Sequence, residues 1–380
     1  MTVKTGQNSI EQISYFEKSF ADLEDPRRTT KGNFHYPLNE LLFLVISAVV
    51  SGAEEWTTIE SFGCTKLEWL RRFLPYKNGI PSHDVLGKVF SRIDPIGFNA
   101  CFTNWINTVS DITKGEVVAI DGKTIRGSGD SEKPKSAVHV VSAYAAENRL
   151  CLGQTTVDQK SNEIVAIPKV LELLAIKGCV VTIDAMGCQK ELAANIIEKK
   201  ADYVLMVKDN QKGLKKQIEK MFTLHQKDCP KDETVDAGHG RIETRLCEVI
   251  DDLTFMDNKE QWKQLNSIVK VTSRRYEKKS GKESIEIRYY IASLKADPAK
   301  LNHIIRSHWR VENNLHWTLD VLFNEDKSLK KKDNAAANFN IINKIALTLI
   351  EREKSMKISK KRKRLTAALD DRYREKILKS

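Results

Sequence analysis

Val117 to Gly127, VVAIDGKTIRG, is the stretch on which the fold of this chain turns. Four apolar residues, three of them β-branched, run into an aspartate and a glycine, which predicts a buried strand ending sharply at Asp121. Cys179 to Gly187 (CVVTIDAMG) repeats the arrangement and puts Asp184 at the end of a second strand. The third acid to place beside them is Glu312, in RSHWRVENN (Arg306 to Asn314), where Ile304, Ile305, Val311, Leu315 and Leu319 recur at roughly helical spacing. Three carboxylates scattered in sequence but convergent in space make a hard, oxygen-rich cage suited to Mg2+ or Mn2+. Asp320, Glu325 and Asp326 compete with Glu312 for the third role.

Around these acids the pattern alternates. A strand from Val117 is followed by a hairpin (His139 to Ala146 and Arg149 to Val157, turning at Glu147-Asn148) and a helix from Ile164 to Lys177. The strand ending at Asp184, a helix from Cys188 to Lys200 and a strand from Tyr203 to Val207 complete the run. The pattern alone supports a mixed α/β domain. Upstream, Gln12 to Leu23, Leu38 to Ser51, Trp56 to Phe62, Lys66 to Phe73 and a helix capped by Ser82 predict a helical N-terminal domain over 1–110, either touching DNA or only packing on the α/β domain. Downstream, β signals dominate over about 209–298 (Arg241 to Ile250, Ser267 to Arg275, Ser284 to Leu294). The basic tail, 351–380, carries Lys360-Lys361-Arg362-Lys363-Arg364, a run expected to face solvent and to lie along phosphate.

A formal net charge of +11 over 380 residues favours an anionic partner, nucleic acid first. The seven cysteines are odd in number and form no CxxC pair, as expected of reduced thiols in a cytoplasmic protein. The longest apolar run, Leu41 to Val50, is about half of a membrane span, so no membrane association is expected.

AIDGKTIRGS (Ala119 to Ser128), TIDAMGCQ (Thr182 to Gln189), GHGRIETR (Gly238 to Arg245), RYYIASL (Arg288 to Leu294) and RSHWRVENNLHWTLDVLFNED (Arg306 to Asp326), with GIPSHDVLGKVFSRIDP (Gly79 to Pro95), resemble the DDE transposases of bacterial insertion sequences. The similarity is greatest to the ISAs1 or H-repeat-associated branch of the IS4-like group. The resemblance implies an α/β ribonuclease-H-like catalytic core over 115–350, interrupted by a β-rich insertion and preceded by the helical domain. It implies Asp121, Asp184 and Glu312 as catalytic metal ligands, with Mg2+ as cofactor and Mn2+ as a substitute. Two ions about 4 Å apart would serve attack and departure at phosphorus. Asp121 bridging both, with Asp184 and Glu312 holding one each, is likewise implied by the family. So are double-stranded DNA partners (terminal inverted repeats and target DNA), a homodimer or larger assembly on DNA, and a place at the bacterial nucleoid.

In the broader group the glutamate's helix carries a tyrosine, an arginine and a lysine that reach the cleaved strand. Here Ile305, His308 and Leu319 stand at those positions, so other residues must hold phosphate: Arg306, His308, Arg310 and Asn313 are candidates. Arg241 and Arg245, on one strand face, and Lys123 and Arg126, beside Asp121, are further DNA-binding candidates. Trp309 and Trp317 are expected in the core. Two alternatives remain at this stage, a nuclease of the same fold without strand transfer and a regulatory DNA-binding relic.

Overall fold

Strand β1 (Val117–Thr124) occupies an inner position of a nine-stranded mixed sheet because its first four residues are apolar on both faces and fully covered. The computed structural model describes residues 18–27, 35–110, 114–129, 136–157, 163–225, 229–238 and 240–380. Antiparallel to β1 runs β2 (His139–Ala145), which pairs in turn with β3 (Leu150–Val157) through a turn that Arg149 closes at φ 58°. On the other side β4 (Val180–Ile183) and β5 (Asp202–Val207) follow in parallel, linked by helices as parallel pairing requires. These are α6 (Glu163–Glu172) and α7 (Lys190–Glu198).

The expected stop at Asp121 is not where β1 ends. Parallel pairing with β4 closes at Ile120↔Ile183, but β2 stays in register with β1 as far as Thr124↔His139. Asp121 therefore lies inside a strand, at the level where one neighbour has left and the other continues.

The β-rich insertion joins the same sheet. Strands β6 (Lys231–Gly238), β7 (Arg241–Ile250), β8 (Ser267–Glu277) and β9 (Glu283–Ala292) form an antiparallel meander whose last strand pairs with β5. Two of its elements escaped the sequence reading. Lys212–Leu224 is a helix, α8, which buries Leu214, Ile218, Met221 and Phe222 under a lysine-rich outer face. β6 is an exposed edge strand whose polar and charged composition carries no strand signal.

The N-terminal part comprises α1 (Leu38–Val50), α2 (Trp56–Thr65), α3 (Leu67–Leu70), α4 (His83–Phe90) and α5 (Pro95–Val109). Ser82 caps α4 by accepting from the Val85 N–H, as expected. The helix expected from Gln12 falls largely outside the described residues, which begin at Lys18. After the sheet come α9 (Pro298–His308), a π-helical turn (Val311–His316) and α10 (Trp317–Leu322). They lead to α11 (Ala335–Arg352), in which every residue but the last is buried. α11 packs on α1 and α5, and one apolar core runs from Phe20 to Ile377.

The tail departs from the solvated run expected of it. It folds into α12 (Lys360–Leu369) and α13 (Asp371–Leu378). Lys363 is buried and donates to the carbonyls of Ile350 and Glu353. Arg364 bonds the carbonyls of Val49 and Leu322 and pairs with Glu54 at 2.9 Å. Lys361 and Arg362 alone of the five are exposed. No helix among the described residues is long and apolar enough to cross a membrane.

Candidate metal centre

Asp121 and Asp184 become neighbours through the β1–β4 register, in which each follows directly on the last paired residues. Asp184 caps the 3-10 turn Ala185–Gly187, its carboxylate accepting from the Met186 N–H at 3.0 Å. Glu312 arrives from the π-helical turn, in which the Trp317 N–H reaches back five residues to the Glu312 carbonyl. That wide turn puts Glu312 and His316 on one side, facing β1. Ligand atoms of Asp121, Glu312 and His316 lie within 4.8 Å of one another.

The electrostatics are those of an uncompensated acidic centre. Burial, then the Glu312 carboxylate, with Asp184 and Glu163 adding to it, pushes the Asp121 carboxyl up to about 8. Asp184 is raised as well, by burial and by Glu163, although the Met186 and Gly187 N–H groups and Lys208 oppose the rise. A divalent cation supplies the missing countercharge, and the oxygen donors suit a hard ion, so the residues present fit such a group.

Behind β1, Glu163 bonds His139 Nε2 at 2.6 Å, and the same ring meets Thr124 Oγ1 at 2.9 Å through Nδ1. Gly122 leaves room for this buried pair: a Cβ there would stand 2.4 Å from Glu163 Oε1 and 2.5 Å from His139 Nε2. Gly122→Ala is therefore expected to destabilise the fold by about 1–3 kcal/mol through overpacking. Thermal melting checks this, and a variant melting with the wild type would mean that Glu163 yields at no cost. Below the sheet, Lys344 of α11 reaches Ser142 Oγ at 2.7 Å and Gln154 Oε1, beneath the residue that pairs with Asp121.

The competing acids have another partner. Lys123 binds Asp320 at 2.5 Å and Glu325 at 2.8 Å, with Asp326 at 3.8 Å. Burial works against its charge, yet these carboxylates outweigh it and raise the Lys123 pKa. Lys123 is thus paired with three carboxylates of the protein itself.

Other candidates divide in the same way. Arg245 is buried and grips Glu243 at 2.6 Å. His308 bonds Thr182 Oγ1 at 3.0 Å and meets Trp309 edge-on, and burial pushes its imidazole down to about 4, so it is neutral at pH 7 and fastens α9 to β4. Arg126, Arg241 and Arg306 are exposed. Arg310 and Asn313 also reach solvent, Arg310 leaning on Glu147 at 2.5 Å and Asn313 bonding the Trp309 carbonyl at 3.0 Å. Trp309 lies under the Arg288 guanidinium at 4.7 Å, whereas Trp317, expected in the core, is 62% exposed one residue after His316. His316 escaped the sequence reading. Its one signal is its position four residues after Glu312, which a helical turn places on the same side.

The strand order and the acids on adjoining strands define a ribonuclease-H-like α/β core with a β-rich extension and a helical N-terminal region. The family model described as "Transposase DDE domain" matches residues 112–349, and "DDE_Tnp_1-associated" matches 17–106. "Putative transposase YncI" of Escherichia coli O157:H7 is 44% identical over 92% of this chain and 91% of the relative. "H repeat-associated putative transposase YhhI" of Escherichia coli strain K12 is 40% identical over 94% of this chain and 95% of the relative. A solved piggyBac transposase synaptic complex with hairpin DNA aligns with a TM-score of 0.45 at 12% identity, covering 96% of this chain and 77% of that one. The chain belongs to the DDE transposase family, among the H repeat-associated insertion-sequence transposases, a class that depends on divalent metal and acts on DNA.

Proposed function

We propose that Asp121, Asp184 and Glu312 are the catalytic metal ligands, that the physiological ion is Mg2+, and that the protein cleaves DNA at its element's ends and joins the freed 3′-hydroxyls to target DNA. The observation that carries this reading is the meeting of Asp121 and Glu312, far apart in sequence, within one ligand sphere beside Asp184. When bound, the divalent ion would supply Lewis-acid neutralisation of charge at the scissile phosphate. The chain's own part is positioning. Asp121 is fixed by strand pairing on β2, Asp184 by its cap on the 3-10 turn, and Glu312 by the π-helical turn. Arg126, Arg306, Arg310 and Asn313 are candidate phosphate contacts, with Arg241 further out on the β-rich extension. A homodimer or larger assembly would hold paired ends together, and the helical part over 1–110 would add to the DNA face.

The test is incubation of the full chain with end-containing DNA and Mg2+, scored for both nicking and joined product. Nicking without joined product would favour the nuclease reading, and neither product, with DNA binding retained, the regulatory one.

DNA affinity is expected to fall steeply with salt, with a slope near −0.9 per phosphate contacted. Arg126→Ala, Arg241→Ala and Arg310→Ala should each flatten that slope by about one contact. Arg245→Ala should instead lower stability, because it strips the buried Glu243 of its partner. Fluorescence-anisotropy titrations at several salt concentrations check this, and slopes unchanged in all three surface variants would remove these arginines from the DNA face.

A further inference from the structure

His316 is 7% exposed, yet no hydrogen bond to either ring nitrogen is found among the described residues. Nε2 is enclosed without a partner, and Nδ1 faces Asp121 Oδ2 at 3.4 Å. A charge-assisted N–H···O bond closes to about 2.7–2.9 Å, so this contact is too long to satisfy the ring. Buried polar groups ordinarily find partners, and an imidazole held this way beside two carboxylates lacks one.

We propose that His316 Nδ1 is a ligand of the divalent ion held by Asp121 and Glu312, which makes the centre a mixed nitrogen and oxygen site. The inference rests on the reading of those acids as a metal centre and adds a donor to it. Two observations converge on it. The ligand atoms of the three residues fall within 4.8 Å. The π-helical turn, a backbone form concentrated at functional sites, sets Glu312 and His316 on the same side. An ion accepting a lone pair from Nδ1 gives that atom the partner that Asp121 Oδ2, at 3.4 Å, does not.

A nitrogen donor changes which ions bind well. Carboxylates alone suit Mg2+ and Mn2+, whereas imidazole favours the later first-row ions. Replacing His316 should therefore weaken Co2+ binding more than Mg2+ or Mn2+ binding.

The test is pulsed EPR of Mn2+ added to the full chain, without DNA. Modulation from directly bound 14N is expected in the wild type, is expected to shift to the 15N frequency when the protein carries 15N-histidine, and is expected to vanish in His316→Phe. Should His316→Phe not fold, His316→Gln keeps a polar group in the buried position and serves the same comparison. Asp121→Asn locates the ion by losing it. Mn2+ that binds at Asp121 without nitrogen modulation, or with modulation that survives the His316 substitutions, overturns this inference and leaves the acidic centre standing. Failure of Mn2+ to bind at Asp121 at all overturns both.

Discussion

Asp121→Asn is expected to abolish strand cleavage in Mg2+ and, at the same time, to make the metal-free protein more stable at pH 8. The amide keeps the shape of the carboxylate and removes its charge, so the ligand is lost while the strand is not. The stability gain follows from the same carboxylate. Its value rises from an ordinary 3.8 to about 8 on folding, so the fold favours the protonated form. Stability is fully present below the unfolded value and is lost as pH climbs through the folded one. At about 1.36 kcal/mol per pH decade the loss is on the order of 5 kcal/mol between pH 4 and pH 8. The amide never ionises, so Asp121→Asn escapes that loss, and the gap between the two melting curves should widen across this window. Divalent metal should close the gap by stabilising only the wild type.

Asp184→Asn and Glu312→Gln should lose cleavage too. Asp320→Asn and Asp326→Asn should spare metal binding, because their carboxylates serve Lys123. Cleavage assays and melting from pH 4 to pH 8 with and without Mg2+ decide the matter. Near-wild-type cleavage by any of the three ligand variants removes that residue from the centre.

Arg364→Ala is expected to destabilise the protein by about 3–5 kcal/mol, the usual cost of breaking a buried ion pair from one side, and Arg374→Ala to destabilise it through the lost packing of a fully buried side chain. Arg364 ties the tail to α1 and α10 through the Val49 and Leu322 carbonyls and Glu54. Its loss takes the ion-pair partner from a mostly buried carboxylate and a donor from each of the two carbonyls. Arg374 has no exposed side-chain surface. It bonds Asp371 at 2.5 Å and the Ala367 carbonyl at 2.9 Å, and its guanidinium lies 3.9 Å from the centre of the Trp69 ring. Removing Lys360 to Arg364 should accordingly unfold the C-terminal helices rather than weaken DNA binding alone. Urea unfolding followed by circular dichroism measures the change. A variant with the wild-type midpoint and uniformly weaker DNA binding would return the basic run to the role its composition first suggested.

That reversal shows how charge misleads when read along the chain. Five consecutive basic residues look solvated, but a helix distributes them around its axis, and α12 turns Lys363 and Arg364 inward against carbonyls and carboxylates that come from distant positions. The same holds for Lys123 and Arg245, whose acidic partners cannot be known before the chain is folded. His308 is the same case with an uncharged partner. Helix α8 escaped for the opposite reason: its four buried residues are outnumbered by lysines and polar residues, so composition hid the periodicity.

The sequence by itself determined the order of strands and helices around Asp121 and Asp184, because the β-branched runs leading into each encode buried strands locally, and its distinctive motif series determined the family. It determined Glu312 as a helical residue as well. Only the tertiary structure decided that β1 runs on past Asp121, since the length of a strand depends on which neighbour continues to pair with it. Only the tertiary structure brought His316 to the acids, because a π-helical turn and its facing depend on what α9 and α10 pack against, which the four-residue spacing from Glu312 does not by itself encode. Which basic residues stay exposed was decided there too, by long-range packing and pairing that local sequence cannot express.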